Sequence, residues 1–198
     1  MHTALHGLFN HIAMEHYQKY TECLHQYNEL TDNNEQWDIL SKKLEQNQLY
    51  FELFKEKEKH SIIAVVFLVM SVEGLINEYG FMFLGEKKFN ELDKGTVIDK
   101  IVNLYFEVTG EKFPKDKQLY QNLYDLVAVR NTLVHSKSIE LDIKALMGNG
   151  AEADKQFHTY INSMLGNKRN KETKQRNMAE ILRSSVNVYS ELMTLLKR

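Results

Sequence analysis

The sequence predicts an all-α protein, an up-and-down bundle of six to seven helices. Three observations predict it. The 198 residues include one proline and nine glycines, too few breakers for many short strands joined by turns. Apolar residues recur every three or four positions over long stretches, the period of an amphipathic helix. The longest apolar run, SIIAVVFLVMSV at 61–72, has 12 residues. That falls short of the ~20 needed to span a bilayer and suits a buried core helix.

The elements follow in order. Residues 3–30 form a long amphipathic helix with Leu5, Leu8, Ile12, Tyr20 and Leu24 as its apolar face. TDNNEQW is a turn, with Asn33 or Asn34 as N-cap of a helix over about 35–58. Leu40, Leu44, Leu49, Leu53 and Phe54 supply its apolar side, and KEKEKH at 55–60 is its solvated end. Residues 61–84, apolar almost all round, form a helix for the middle of the bundle. LGEKKFNELDKG is a loop. Ile98, Ile101, Val102, Tyr105 and Val108 mark a helix over 96–109, which Gly110 to Pro114 stops. Helices follow over 115–135, about 151–165 and about 173–196, with MGNG at 147–150 as a break. No internal repeat or low-complexity tract is present, and residues 1–198 read as a single domain.

Composition narrows the function. Hydrophobic residues make up 43% and charged residues 26%, ordinary values for a globular chain. The net charge of −2 excludes a generic polyanion binder, so any nucleic-acid affinity must come from a local patch. Cys23 is the only cysteine, which excludes an internal disulfide and a cysteine-rich zinc site and suits a reducing compartment. The N-terminal MHTALHGLFNHIAMEH lacks the basic and apolar regions of a signal peptide. The expectation is a cytoplasmic protein with no membrane association.

One helix carries the chemistry. Along 115–135, Leu119, Leu123, Leu126, Arg130 and Leu133 share one row, and Tyr120, Tyr124, Val127, Asn131 and His135 share the next. Arg130 thus stands on the apolar stripe, with Asn131 and His135 one turn apart beside it. A buried guanidinium keeps its proton and needs a partner. The run 61–84 offers one, because Glu73 interrupts the row Ile62, Val66, Val69, Ile76. Two readings stay open. Glu73 and Arg130 form a structural ion pair that holds helices in register, beside a satisfied histidine. Alternatively, the set is a phosphoryl-transfer site. Arginine binds phosphate bidentately and stabilises its developing charge. Histidine moves protons near neutrality, and asparagine orients it or donates to an oxygen. Such a set can cleave RNA without a metal, using the ribose 2′-OH as internal nucleophile.

Arg-Asn-Thr-Leu-Val-His at 130–135, an R-x4-H at the end of a bundle helix, resembles the signature of the HEPN superfamily. The resemblance covers these six residues and, in general pattern, about 60–140, leaving helical elaborations at both ends. It implies a small all-α bundle and a metal-independent endoribonuclease of the toxin–antitoxin or abortive-infection (phage-defence) kind. It also implies a homodimer whose two motifs form a composite site at the interface, RNA as substrate, and an antitoxin protein as further partner. By the resemblance Arg130 and His135 are catalytic, Asn131 is the polar residue after the arginine, and Glu73 is the acidic residue of an earlier core helix. No cofactor and no metal are implied. A non-catalytic HEPN-like module that binds RNA or protein, and a structural bundle, are the alternative readings.

Other motifs are less specific. GNKRNKETKQR at 166–176 carries Lys168, Arg169, Lys171, Lys174 and Arg176 against Glu172. It is a solvated loop, or an RNA-binding patch that contacts phosphates and steers the substrate towards the cleft. Glu22 and His25 give one E-x-x-H, but a di-metal bundle needs a second copy, which is absent. His2 and His6 lie one turn apart at a fraying terminus. Tyr105, Phe106, Tyr120 and Tyr124 fit core packing or a dimer seam. No phosphate-binding glycine loop, nucleophile elbow or zinc pattern occurs.

Overall fold

A computed structural model describes residues 5–32, 40–135 and 178–197. Every regular element among them is an α-helix: α1 (Leu5–Asp32), α2 (Leu40–Leu92), α3 (Val97–Thr109), α4 (Gln118–His135), α5 (Met178–Ser185) and α6 (Val188–Leu196). The all-α architecture is therefore as predicted. The helix expected over 151–165 lies outside the described residues, and the total of six to seven helices lies there with it.

Helices α1 and α2 run antiparallel. Reading down α1, Tyr27 meets Tyr50, His16 meets His60, Phe9 meets Phe67 edge-on at 5.8 Å between ring centroids, and His6 meets Gly74. The glycine is needed: a Cβ at position 74 would lie 2.9 Å from that of His6. The buried row of α1 is His6, Ala13, Tyr20 and Tyr27, each seven residues from the next and so two turns apart. This corrects the expected apolar face in part, since Tyr20 lies on the row and Leu24 packs beside the core. Leu5 and Leu8 stand off that row and are exposed. Rings and small side chains fit α1 against α2, with Leu24 partly buried beside them.

Helix α2 corrects the sequence reading three times. Residues 35–58 and 61–84 do not form separate helices, because the chain stays helical through KEKEKH. Nor is that stretch a solvated end: Lys57, Glu58 and His60 are buried and Lys55, Glu56 and Lys59 are exposed. The Lys57 ammonium lies over the rings of Tyr27 and Phe54, 4.5 and 5.1 Å from their centroids, and 3.2 Å from Glu58. Its methylene stem serves as core while the rings accept its charge. Finally, 84–95 is not all loop. The helix continues to Leu92 across a sharp bend at Gly85 (φ 74°, ψ 167°), a backbone region that essentially only glycine occupies. The bend folds the Phe89 ring back onto Gly80, where a Cβ would meet it at 2.5 Å. In a straight helix those two residues would stand ~13 Å apart along the axis. At the corner Phe81, Met82 and Phe83 are exposed, so the apolar run does not stay central to its end.

Helix α3 has the ends that its sequence predicts. Thr96 and Asp99 form a reciprocal capping box, and Gly110 closes the helix in the left-handed conformation, its N–H donating to the Phe106 carbonyl at 2.8 Å. Phe113 then turns back edge-on to Tyr105. The expected helix over 173–196 is broken at Val186 and Asn187 into α5 and α6. At the break the Ser184 carbonyl accepts from the Asn122 amide of α4 at 2.6 Å.

Two apolar clusters fill the bundle. In one, Ala64, Val65, Leu68 and Val69 of α2 pack with Ala13 and Tyr20 of α1, Leu126 and Val129 of α4, and Ile181 and Leu182 of α5. In the other, Val72, Leu75 and Ile76 pack with Ile101 and Leu104 of α3, Leu119 and Leu123 of α4, and Val188 and Leu192 of α6. Helices α2 and α4 belong to both. By length and composition a stretch of α2 could cross a membrane, but 56% of its most apolar window is buried inside the bundle. The buried part belongs to these two clusters.

Candidate functional site

Glu73 and Arg130 do meet. The Arg130 Nη2 donates to Glu73 Oε1, and its Nη1 donates to Asn131 Oδ1 at 3.0 Å. The register explains the contact. Leu119, Leu123 and Leu126 of the Arg130 row are buried, and so are Val69 and Ile76 of the Glu73 row. Each charge thus emerges at the margin of an apolar stripe. The Arg130 side chain keeps 18% of its accessible surface and that of Glu73 keeps 33%. The pair is shielded on one side and open to water on the other.

A guanidinium carries five N–H donors in a planar fork. Two bonds hold it in place and leave capacity for a bidentate oxyanion. Glu73 balances its charge, so an incoming phosphate must share the fork with a carboxylate.

Asn131 is half-buried. Position 135, the last of α4, follows it by one turn on the same helix face. It lies five residues beyond Arg130, about 140° further round the helix. The His135 side chain lies outside the described residues, as do Lys168, Arg169, Lys171, Lys174 and Arg176. The structure therefore brings together Glu73, Arg130 and Asn131 of the expected set, with the backbone of His135 alongside.

The remaining candidates divide. Tyr105 is buried in the second cluster and Tyr120 packs against it, whereas Phe106 and Tyr124 are exposed. Glu22 and His25 are exposed, Glu22 with Gln18 and His25 with Glu29. No three His, Cys, Asp or Glu side chains among the described residues converge as a metal cage. A groove of about 190 Å³ between α2 and α3, crossed by the Lys88–Glu107 ion pair, contains none of the Arg130 set.

Two polar constellations escaped the sequence reading. His6 is not at a frayed end: it is buried, with Nε2 2.8 Å from Glu78 and Nδ1 2.6 Å from the Tyr189 hydroxyl. It ties α1 to α2 and α6. Burial, then the Glu78 carboxylate, pushes the Tyr189 hydroxyl above the usual tyrosine pKa. The second is His16 with His60, whose Nδ1 atoms lie 2.7 Å apart. Burial, then the neighbouring His16, lowers the His60 pKa. The seven-residue row from His6 was the available signal for the first of these.

No family model, curated protein or solved structure matches the chain.

Proposed function

We propose that the chain is a metal-independent endoribonuclease of HEPN type, in a toxin–antitoxin or phage-defence role. The observation that supports this reading is the seating of Arg130. It is held between Glu73 and Asn131 on the rim of the core, partly open to solvent, one turn before the R-x4-H helix ends at His135. In this reading Arg130 grips the scissile phosphate and neutralises charge that builds on its oxygens. His135 takes the proton of the ribose 2′-OH as that oxygen attacks phosphorus. The 5′-oxygen leaves with a proton from an acid, which the His135 of a second copy would supply in a dimer. The products are a 2′,3′-cyclic phosphate and a 5′-hydroxyl. Glu73 and Asn131 fix the guanidinium. A cytoplasmic homodimer, RNA as substrate and an antitoxin partner belong to the same proposal.

The direct Glu73–Arg130 contact also suits a second reading, a non-catalytic bundle or binding module in which the pair only joins α2 to α4. Incubating purified protein with mixed cellular RNA in EDTA separates the two. The expected result is cyclic-phosphate ends from the wild type and none from His135→Ala or Arg130→Ala, with both variants still folded. Unchanged cleavage by either variant overturns the mechanism. A folded dimer of wild type that cuts nothing leaves the binding module.

A further inference from the structure

The imidazoles of His16 on α1 and His60 on α2 face each other through their Nδ1 atoms, 2.7 Å apart, with ring centroids 4.9 Å apart. We infer that this pair is a two-nitrogen chelate for a divalent late first-row transition cation, clamping α1 to α2. The geometry needs a small parting and a turn of the two rings. Two metal–nitrogen bonds of ~2.0–2.1 Å place their nitrogens roughly 2.9 Å apart at a right angle and 3.4 Å apart at a tetrahedral one. The two Nδ1 atoms point almost at one another. To meet on the ion, the rings must part by less than ~1 Å and each turn until its lone pair stands roughly 35–45° off the line between them.

The surroundings favour the neutral imidazole that a metal requires. His60 is buried, and burial holds its pKa below the usual histidine value. Its other nitrogen, Nε2, faces the Glu56 carboxylate at 3.5 Å. A carboxylate on the far nitrogen fixes the ring and leaves the Nδ1 lone pair for the metal, the usual outer partner of a ligating histidine. The two lysines close by are already engaged, Lys59 with Glu56 and Lys19 with Glu15. Cys23 is excluded as a third ligand, because two turns of α1, about 10 Å, separate it from His16. The protein thus supplies two nitrogens and water fills the other positions, which selects nitrogen-seeking cations such as Cu²⁺, Ni²⁺ and Zn²⁺ over Mg²⁺ or Ca²⁺.

The test is titration of the chelator-treated full chain with Cu²⁺, Ni²⁺ and Zn²⁺ chloride, by calorimetry and by melting. The expected result is one ion per chain and a Tm that rises with the logarithm of ion concentration. The Cu²⁺ form is expected to show two imidazole nitrogens by electron paramagnetic resonance. His16→Gln and His60→Gln should each weaken binding roughly tenfold or more, Glu56→Gln about tenfold, and His25→Gln not at all. Should His60→Gln fail to fold, His16→Gln, at a more open position, carries the test alone. A wild type whose Tm ignores millimolar ion overturns the proposal. So does a His16→Gln variant that binds like wild type and keeps both nitrogen couplings, since the ion would then sit on other histidines.

Discussion

Glu73 and Arg130 are each partly exposed, and that exposure decides what their removal costs. A fully exposed pair contributes ~0–1 kcal/mol, whereas stranding one member of a buried pair costs ~3–5 kcal/mol. With side chains 18% and 33% exposed, Glu73→Gln or Arg130→Met should destabilise the fold by about 1–3 kcal/mol. The double variant should lose less than the sum, because neither charge is left alone. Urea unfolding of the four proteins measures the coupling. Strict additivity would mean that the two side chains do not interact in solution. His60 gives a different prediction. Its folded pKa is lowered, chiefly by burial and then by His16, while the unfolded value is ~6.5. Below that value the unfolded chain binds the proton more readily. The His60 contribution is thus complete above about pH 6.5 and is lost as pH falls from there through the folded pKa. Glu56 opposes the shift, and Lys19 and Lys59 reinforce it. Melting from about pH 7.5 to about pH 5 should lower the wild-type Tm more than that of His60→Gln. Parallel curves would remove His60 from the acid response.

Among the elements, α3 and the first four turns of α4 were legible because their signals are local. Thr96 with Asp99, and Gly110, set the ends of α3 by contacts within a few residues. The meeting of Glu73 with Arg130 was legible too, since each charge interrupts an apolar row. Helix α2 was not, and its own side chains show why. KEKEKH has the composition of a surface, but the inward register Phe54, Lys57, Ser61, Ala64, Leu68 runs through it unbroken. A period of 3.6 is a better guide there than polarity, because Lys57 is accommodated by Phe54 and Glu58 of its own helix and by the ring of Tyr27, which only the tertiary fold supplies. Gly85 was hidden for the opposite reason, since a glycine in a polar stretch suggests a loop while here it lets two helical pieces meet at a corner. Gly85→Ala has open space for its methyl group, so the penalty is conformational. It should cost about 1–3 kcal/mol and release Phe89 from Gly80. Amide hydrogen exchange in 86–92 should then accelerate. An unchanged exchange pattern would show that the bend is set by something other than the glycine.

Over the whole molecule, α5 and α6 decide whether there is one core or an open half. Met178, Ile181 and Leu182 close one cluster, and Val188, Leu192 and Leu196 close the other. A chain ending at residue 177 would expose apolar faces of α2 and α4 in both. It should lose the cooperative thermal transition and bind a hydrophobic dye. A truncated chain that still melts cooperatively would mean that α1 to α4 suffice.

The hydrogen bond between His6 and Tyr189 joins residues 183 positions apart, and it carries a consequence for synthesis. A ribosome delivers residue 6 first and residue 189 long afterwards, at roughly 5–20 residues per second. Throughout that interval the early helices lack the cover that α5 and α6 give them. The two apolar clusters therefore close only as α5 and α6 emerge. Whatever work the Arg130 margin performs is withheld until α5 and α6 have been made.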